Sequence, residues 1–156
     1  MVIVISFLGG MFEEMAARLA RRSGGQTGQP PAGIQRAVAA MTTLLAGEQT
    51  DLTDICCDFS GVPEFEAVVY AIIWGIPPGE TLTYGDVAVQ LGDKLRAQNV
   101  GRALGRNPLP IIVPCHRVMG ADGKPTGFSA YGGIETKLRM LAIEGAQRGL
   151  FDDLLF

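Results

Sequence analysis

Apolar residues recur along this chain in two rhythms, one of period two and one near three and a half. Val2 to Phe7 is a β-rich apolar stretch closed by Gly9-Gly10, and it predicts one buried strand. Phe12, Met15 and Leu19 follow at helical spacing. Glu13 and Glu14 stand at the start of that helix and Arg18, Arg21 and Arg22 at its end, which suits the helix macrodipole. Ser23 to Gly33 reads SGGQTGQPPAG, the most linker-like stretch. Ile34, Val38, Met41 and Leu45 predict a second amphipathic helix, with Gly47 as its stop. Ile55, Cys57 and Phe59 alternate with Cys56 and Asp58, which predicts a short strand.

After Gly61 the helical rhythm dominates. Pro63 suits a first helical position, and Phe65, Val68, Val69, Ile72 and Ile73 predict the apolar face of a helix ending at Gly75. Pro77-Pro78-Gly79 predicts a turn. Thr83 with Asp86 three residues on resembles a capping box, with Asp in place of the usual Glu or Gln, and predicts a short helix over Tyr84 to Leu91. Gly92-Asp93 predicts a tight turn, and a longer helix runs from Lys94 to Arg106, ending before Pro108. Short helix, tight turn and longer helix make a helix-turn-helix pattern. Ala97, Gly101, Ala103 and Gly105 leave the longer helix unusually small-sided. Two interior glycines cost about 1 kcal/mol each relative to alanine. They admit either close helix packing or close approach to something outside, such as a nucleic-acid groove. Arg96, Arg102 and Arg106 flank them and favour the second account.

Composition narrows the class. The hydrophobic fraction of 47% and charged fraction of 19% exclude a disordered chain. No apolar run approaches the roughly 18 residues of a membrane span. Val2 to Leu8 lacks the basic segment and cleavage site of a signal peptide, so the expectation is a soluble, cytoplasmic protein. Three cysteines and one histidine are too few for a disulfide scaffold, and Cys56-Cys57 lacks metal-knuckle spacing, so no metal site is expected. The net charge of −3 hides an asymmetry: residues 1–83 carry −5, residues 84–148 carry +4 and the tail carries −2. A positive block inside an acidic protein suits a phosphate-facing surface.

The candidate chemistry lies at the end of a second apolar run. Ile111-Ile112-Val113 predicts a short buried strand leading into Pro114-Cys115-His116-Arg117-Val118. The only histidine thus adjoins a cysteine. A cysteine attacks as thiolate, and its free pKa of about 8.5 leaves a few per cent ionised at neutral pH. A neighbouring base raises that fraction. Adjacent side chains in a strand point apart, so a bridging water is as plausible here as direct contact.

The flanking residues give this pair a context. NPLPIIVPCHRVMGADGKPTGFSAYGG, followed by a helix ending LAIEG, resembles the O6-alkylguanine-DNA alkyltransferases, and P-C-H-R-V is highly specific to that family. The resemblance extends back through GIPPGETLTYGDVA to about Val62. It implies an α/β (α+β) fold: a reduced N-terminal α/β domain over 1–60, a winged helix-turn-helix alkyl-transfer domain over 61–148, and a tail over 149–156. It implies repair of double-stranded DNA by a monomer that moves an alkyl group from O6 of guanine, or O4 of thymine, to a cysteine once per molecule. No cofactor and no membrane are implied. By similarity Cys115 is the acceptor, His116 deprotonates it through a water, Glu144 orients His116, and Asn107 braces the turn before the cysteine. Tyr84 presses on a phosphate and donates to the purine. Arg96, Ala97, Gln98, Gly101, Arg102 and Arg106 face DNA. Pro110, Ser129 and the Gly127–Gly133 loop wall the base pocket, and the carbonyls of Cys115 and Val118 accept from the base amine.

Three departures accompany the resemblance. Gln98 stands where the family's helix carries an intercalating arginine. The N-terminal region is expected to be about one hairpin shorter than the family's. The tail LFDDLLF has no counterpart. The alternative reading is a lesion-binding protein of the same fold that transfers nothing. Such proteins lack the cysteine, so Cys115 argues against it, while Gln98 leaves room for weak activity. A cysteine hydrolase built on Cys115 and His116 would need an oxyanion hole as well.

Overall fold

The computed structural model describes residues 28–48, 50–129 and 132–146. The strand expected over Val2–Phe7, the helix after it, the first part of the linker (23–27) and the tail lie outside these residues. The chain divides into two compact units between Ala39 and Ala40, inside helix α1 (Ala32–Leu45). On the first side, the Pro31 carbonyl receives the amides of Ile34 and Gln35 and starts the helix, and Gln35 Nε2 donates to the Pro30 carbonyl at 2.7 Å. On the second side, Met41, Leu44 and Leu45 are buried. Gly47, at φ +96°, closes the helix as its position in sequence suggests.

The segment 55–59 forms no strand. Asp51 accepts from the Thr53 amide and Asp58 from the Ser60 amide, both at 2.8 Å. These local turns compete with extended pairing, and alternation of apolar residues does not overcome them. Helix α2 (Glu64–Trp74) begins just after Pro63. Its buried stripe is Glu66, Val69, Tyr70 and Ile73, whereas Val68, expected on the apolar face, is 45% exposed. Tyr70 replaces it because its ring fills the core while its hydroxyl donates to the Ala103 carbonyl at 2.8 Å. Glu66 is tolerated in the stripe through its ion pair with Arg106 at 3.1 Å.

Strand β1 (Leu82–Thr83) leads directly into helix α3 (Tyr84–Gln90). The capping box is present in full: Thr83 Oγ1 accepts from the Asp86 amide at 3.0 Å, and Asp86 accepts from the Thr83 amide at 2.8 Å. Gly92, at φ +82°, makes the turn. The helix expected over 94–106 is split into a 3₁₀ turn at Lys94–Arg96 and helix α4 (Ala97–Gly105). Asp93 causes the split by accepting from the Leu95 amide at 3.0 Å, which caps a tight turn.

The apolar run 111–113 is likewise not a strand. Pro108, Pro110 and Pro114 supply no amide donors, and Ile111 sits at φ +80°. A single bridge joins Pro110 to Val113, and a 3₁₀ turn follows over Cys115–Arg117. Strand β2 (Val118–Met119) then pairs in parallel with β1, Leu82 opposite Val118 and Thr83 opposite Met119. Helix α5 (Gly133–Ile143) closes the unit behind it. Its N-terminal Gly132, at φ +85°, leaves no room for a Cβ, which would collide with the Thr136 side chain.

Among the described residues this two-stranded pairing is the only sheet, within a helix-rich α+β unit. One apolar core gathers α2, α3, α4 and the cysteine turn, with Val69, Ile73, Val87, Val100, Val113 and Cys115 all in it. No helix among the described residues is long and apolar enough to cross a membrane.

Candidate active site

The β1–β2 pairing fixes the site. Tyr84 is the first residue after β1, and Cys115–Arg117 immediately precede β2. Both therefore reach the same place, a cleft of about 290 Å³ lined by Tyr84, Gly101, Leu104, Gly105, Cys115, Gly127, Phe128 and Ser129. Helix α4 forms one wall and the loop at 127–129 another.

Behind Cys115 the side chains of His116, Arg117 and Glu144 are buried and linked by hydrogen bonds. His116 Nε2 lies 2.9 Å from Glu144 Oε1. Arg117 grips the same carboxylate with two nitrogens, Nε to Oε2 at 2.9 Å and Nη2 to Oε1 at 2.8 Å, while Nη1 donates to the Ile76 carbonyl. Burial pushes the Glu144 carboxyl up, but the hydrogen bonds from His116 and Arg117 outweigh it and hold the group at about 2. Glu144 is therefore ionised and can only accept, so His116 carries its proton on Nε2. Burial lowers the His116 pKa, and Glu144 only partly offsets this, so the ring is neutral at neutral pH. That leaves Nδ1 as an unprotonated acceptor. It is buried and has no hydrogen-bond partner among the described residues.

Asn107 spans the turn ahead of the cysteine. Its Nδ2 donates to the Val113 carbonyl at 2.9 Å, and its Oδ1 accepts from the Leu109 amide at 3.0 Å. Burial raises the Cys115 pKa, and a hydrogen bond from Asn107 and the charge of Lys137 partly counter it. Cys115 thus rests as a thiol and needs a base to become a nucleophile.

The residues expected at the base divide. Ser129 lines the cleft, whereas Pro110 and Val118 are not among its lining residues. Val118 is fully buried, and its carbonyl accepts from Lys137 Nζ at 2.5 Å. Lys137 also donates to the Thr126 carbonyl at 3.0 Å, which ties β2 to the loop leading into the cleft wall. Burial lowers this ammonium to about 8, with Cys115 pulling the other way.

The residues expected to face DNA divide as well. Gln98, Arg102, Gly105 and Arg106 are exposed along α4, while Ala97 packs against the core. Arg96 pairs with Asp93 at 3.3 Å and lies over the Phe65 ring, 5.8 Å from its centroid. Arg106 pairs with Glu66, and Arg102 forms no ion pair among the described residues. The two glycines of α4 are not required by internal packing. A Cβ at Gly101 would meet the Tyr84 ring at 3.6 Å, an ordinary contact, and one at Gly105 would meet nothing within 4 Å. Their smallness faces outward.

Sequence reasoning assigned no role to Arg117 or Lys137. Arg117 stands inside the P-C-H-R-V motif, which is a signal of position but not of partner. Lys137 lies in an amphipathic helix, IETKLRML, where a lysine ordinarily reads as solvent-facing, and nothing local marks its burial.

Residues 64–146 match the family described as 6-O-methylguanine DNA methyltransferase, DNA binding domain. The methylated-DNA–protein-cysteine methyltransferase of Mycolicibacterium paratuberculosis is 44% identical over 114 residues, covering 73% of this chain and 67% of that protein. That of Methanothermobacter thermautotrophicus is 37% identical, covering 74% and 64%. Among solved structures, Mycobacterium tuberculosis OGT in complex with DNA shares 44% identity and a TM-score of 0.64, over 70% of this chain and 65% of that one. The O6-methylguanine-DNA methyltransferase of Pyrococcus kodakaraensis shares 32% identity and a TM-score of 0.69, over 90% and 83%. The chain thus spans about two thirds of the length of the curated relatives it matches.

Proposed function

Because this chain belongs to the 6-O-methylguanine DNA methyltransferase family, we propose that it repairs DNA by moving the alkyl group of O6-alkylguanine onto Cys115. The observation that carries this reading is a buried thiol opening on a cleft, backed by a neutral histidine whose free nitrogen can take a proton.

The steps follow from the charges already described. His116 Nδ1 accepts the Cys115 proton, directly or through a water, and the imidazolium so formed is stabilised by ionised Glu144. Arg117 keeps that carboxylate ionised and oriented. The thiolate attacks the alkyl carbon in line, an S–C bond forms, and the C–O6 bond breaks. The guanine oxygen leaves with the electron pair, Tyr84 donates to the purine as charge develops, and the thiol proton is the one guanine regains. Ser129 sits near O6, and Asn107 holds the turn that aims Cys115. The product is a thioether, a poor leaving group, so each molecule reacts once. No cofactor enters these steps.

The substrate must leave the stack to reach a buried sulfur, and flipping costs a few kcal/mol. Helix α4 would enter the minor groove, where the outward-facing Gly101 and Gly105 allow backbone to approach closely. Gln98 and Arg102 would face the groove. Arg96 and Arg106 would reach phosphates from the ion pairs that now orient them. We further infer a winged helix-turn-helix over 61–148, double-stranded DNA as partner, a monomeric state and a cytoplasmic location. O4-alkylthymine is a further substrate of the same chemistry. Radiolabelled methyl in duplex DNA should pass to the protein and stop at one equivalent. Binding to the methylated duplex without transfer would favour the lesion-binding alternative.

A further inference from the structure

Leu95 is the most exposed large apolar side chain among the described residues, at 88%. A lone exposed leucine is unremarkable by itself. What sets this one apart is how it is held. The Asp93 amide is bound to the Ala88 carbonyl at 3.1 Å, and the Asp93 carboxylate receives the Leu95 amide and Arg96 Nε. Arg96 in turn lies over Phe65. The turn is pinned on both sides, and Leu95 projects from it between the cations Lys94 and Arg96.

Leu95, Gln98, Asn99 and Arg102 are spaced i, i+3, i+4, i+7, and all four are exposed. They form one face. Leu95 stands three residues before Gln98, across the junction of the 3₁₀ turn and α4, a rise of roughly 5 to 6 Å. Successive bases in a strand lie about 3.4 Å apart. If Gln98 faces the position vacated by the flipped base, Leu95 faces the neighbouring step. The cations around it match a polyanion and not an apolar protein surface.

We propose that Leu95 is an apolar wedge that enters the base stack of double-stranded DNA one step from the flipped guanine. The inference rests on the repair reading above. Gln98 is polar, uncharged and shorter than an arginine, so it fills the vacated position less well, and apolar side chains of the size of leucine unstack base steps at minor-groove contacts.

The test uses the full chain, with Leu95→Ala and Leu95→Met, and a duplex carrying O6-methylguanine with the fluorescent base 2-aminopurine at the adjacent step. Aminopurine brightens when it unstacks. The unaltered protein and Leu95→Met should brighten it, and Leu95→Ala should not. The Ala variant should also lose roughly tenfold in duplex reaction relative to its reaction with free O6-benzylguanine. Equal brightening by Leu95→Ala, or an unchanged ratio of duplex to free-base rates, overturns the wedge and leaves the repair reading standing. An unaltered protein that neither binds the duplex nor takes up methyl overturns both.

Discussion

The cysteine turn and helix α4 face each other across one cleft and are built on opposite terms. From Pro114 to Gly120 every residue is buried, and the polar groups are bonded to one another through Glu144 and Lys137. Along α4 the residues facing away from the core are exposed, short or small, and the two glycines have room beside them. The first region holds a proton acceptor and a thiol in fixed states, which burial achieves. The second keeps short and small side chains on its outer side. Disturbing the turn should therefore cost chemistry, and disturbing the helix should change how DNA is engaged while leaving the chemistry at Cys115 intact.

The largest effect should come from the sulfur itself. Cys115→Ser should lower methyl uptake by at least about a thousandfold, since a hydroxyl is a far weaker nucleophile here. Duplex binding, measured by fluorescence anisotropy, should survive. Replacing Cys56 and Cys57 together by serine should leave methyl uptake as it was. A binding loss equal to the transfer loss would erase the distinction between the two regions.

Glu144→Gln comes next. It leaves Arg117 without its buried counter-ion and His116 without its anionic acceptor, a change that costs about 3–5 kcal/mol in comparable pairs. Urea unfolding should show that loss, and single-turnover rates should fall with it. A stable variant with a normal rate would show that the carboxylate is dispensable.

The same network sets a pH profile. Glu144, held at about 2 in the folded protein, ionises more easily there than in the unfolded chain. Its stabilisation is present above about pH 4.3 and is lost as the pH falls toward 2. His116 is lowered by burial, so below about pH 6.5 the unfolded chain takes up a proton that the folded one refuses. Melting temperature should thus decline gently below pH 6.5 and steeply below about 4.3. The steep part should be absent in Glu144→Gln.

Helix α4 should respond in the other direction. Gln98→Arg should speed duplex repair roughly fivefold by stacking a guanidinium where the base has left. The gain in reaction with a free benzylated base should be smaller. Gly105→Ala should be the mildest change. Removing a helical glycine stabilises by up to about 1 kcal/mol, and the added methyl touches nothing in the protein. Thermal unfolding should show the gain, while duplex affinity falls if that surface meets a groove. Unchanged affinity would mean that Gly105 lies outside the contact.

What was legible in the sequence follows the same division. The capping box at Thr83 and Asp86 needs only residues three apart, and it forms as read. Helices α1, α2 and α3 follow their local periodicity and stops. Extended segments did not. The run at 111–113 and the alternation at 55–59 need a partner strand, and in both places prolines or aspartate side chains divert the backbone first. Cys115 and His116 were marked by their adjacency, while Asn107 and Glu144 came only through the family resemblance; the structure places Glu144 2.9 Å from His116 and Asn107 on the turn before Cys115. Arg117 and Lys137 were not legible, because their importance lies in carbonyls and a carboxylate reached only after folding. Pro110 and Val118 stand near the cleft without lining it, a distinction that spacing alone does not draw.

The account turns on where the alkyl group ends. Protein incubated with a duplex containing one O6-methylguanine, then weighed intact and mapped by peptide mass spectrometry, answers this directly. The account predicts a single gain of about 14 Da, the replacement of a thiol proton by methyl, on the peptide bearing Cys115. Methyl on Cys56 or Cys57, or a duplex bound with its methyl still in place, would contradict it.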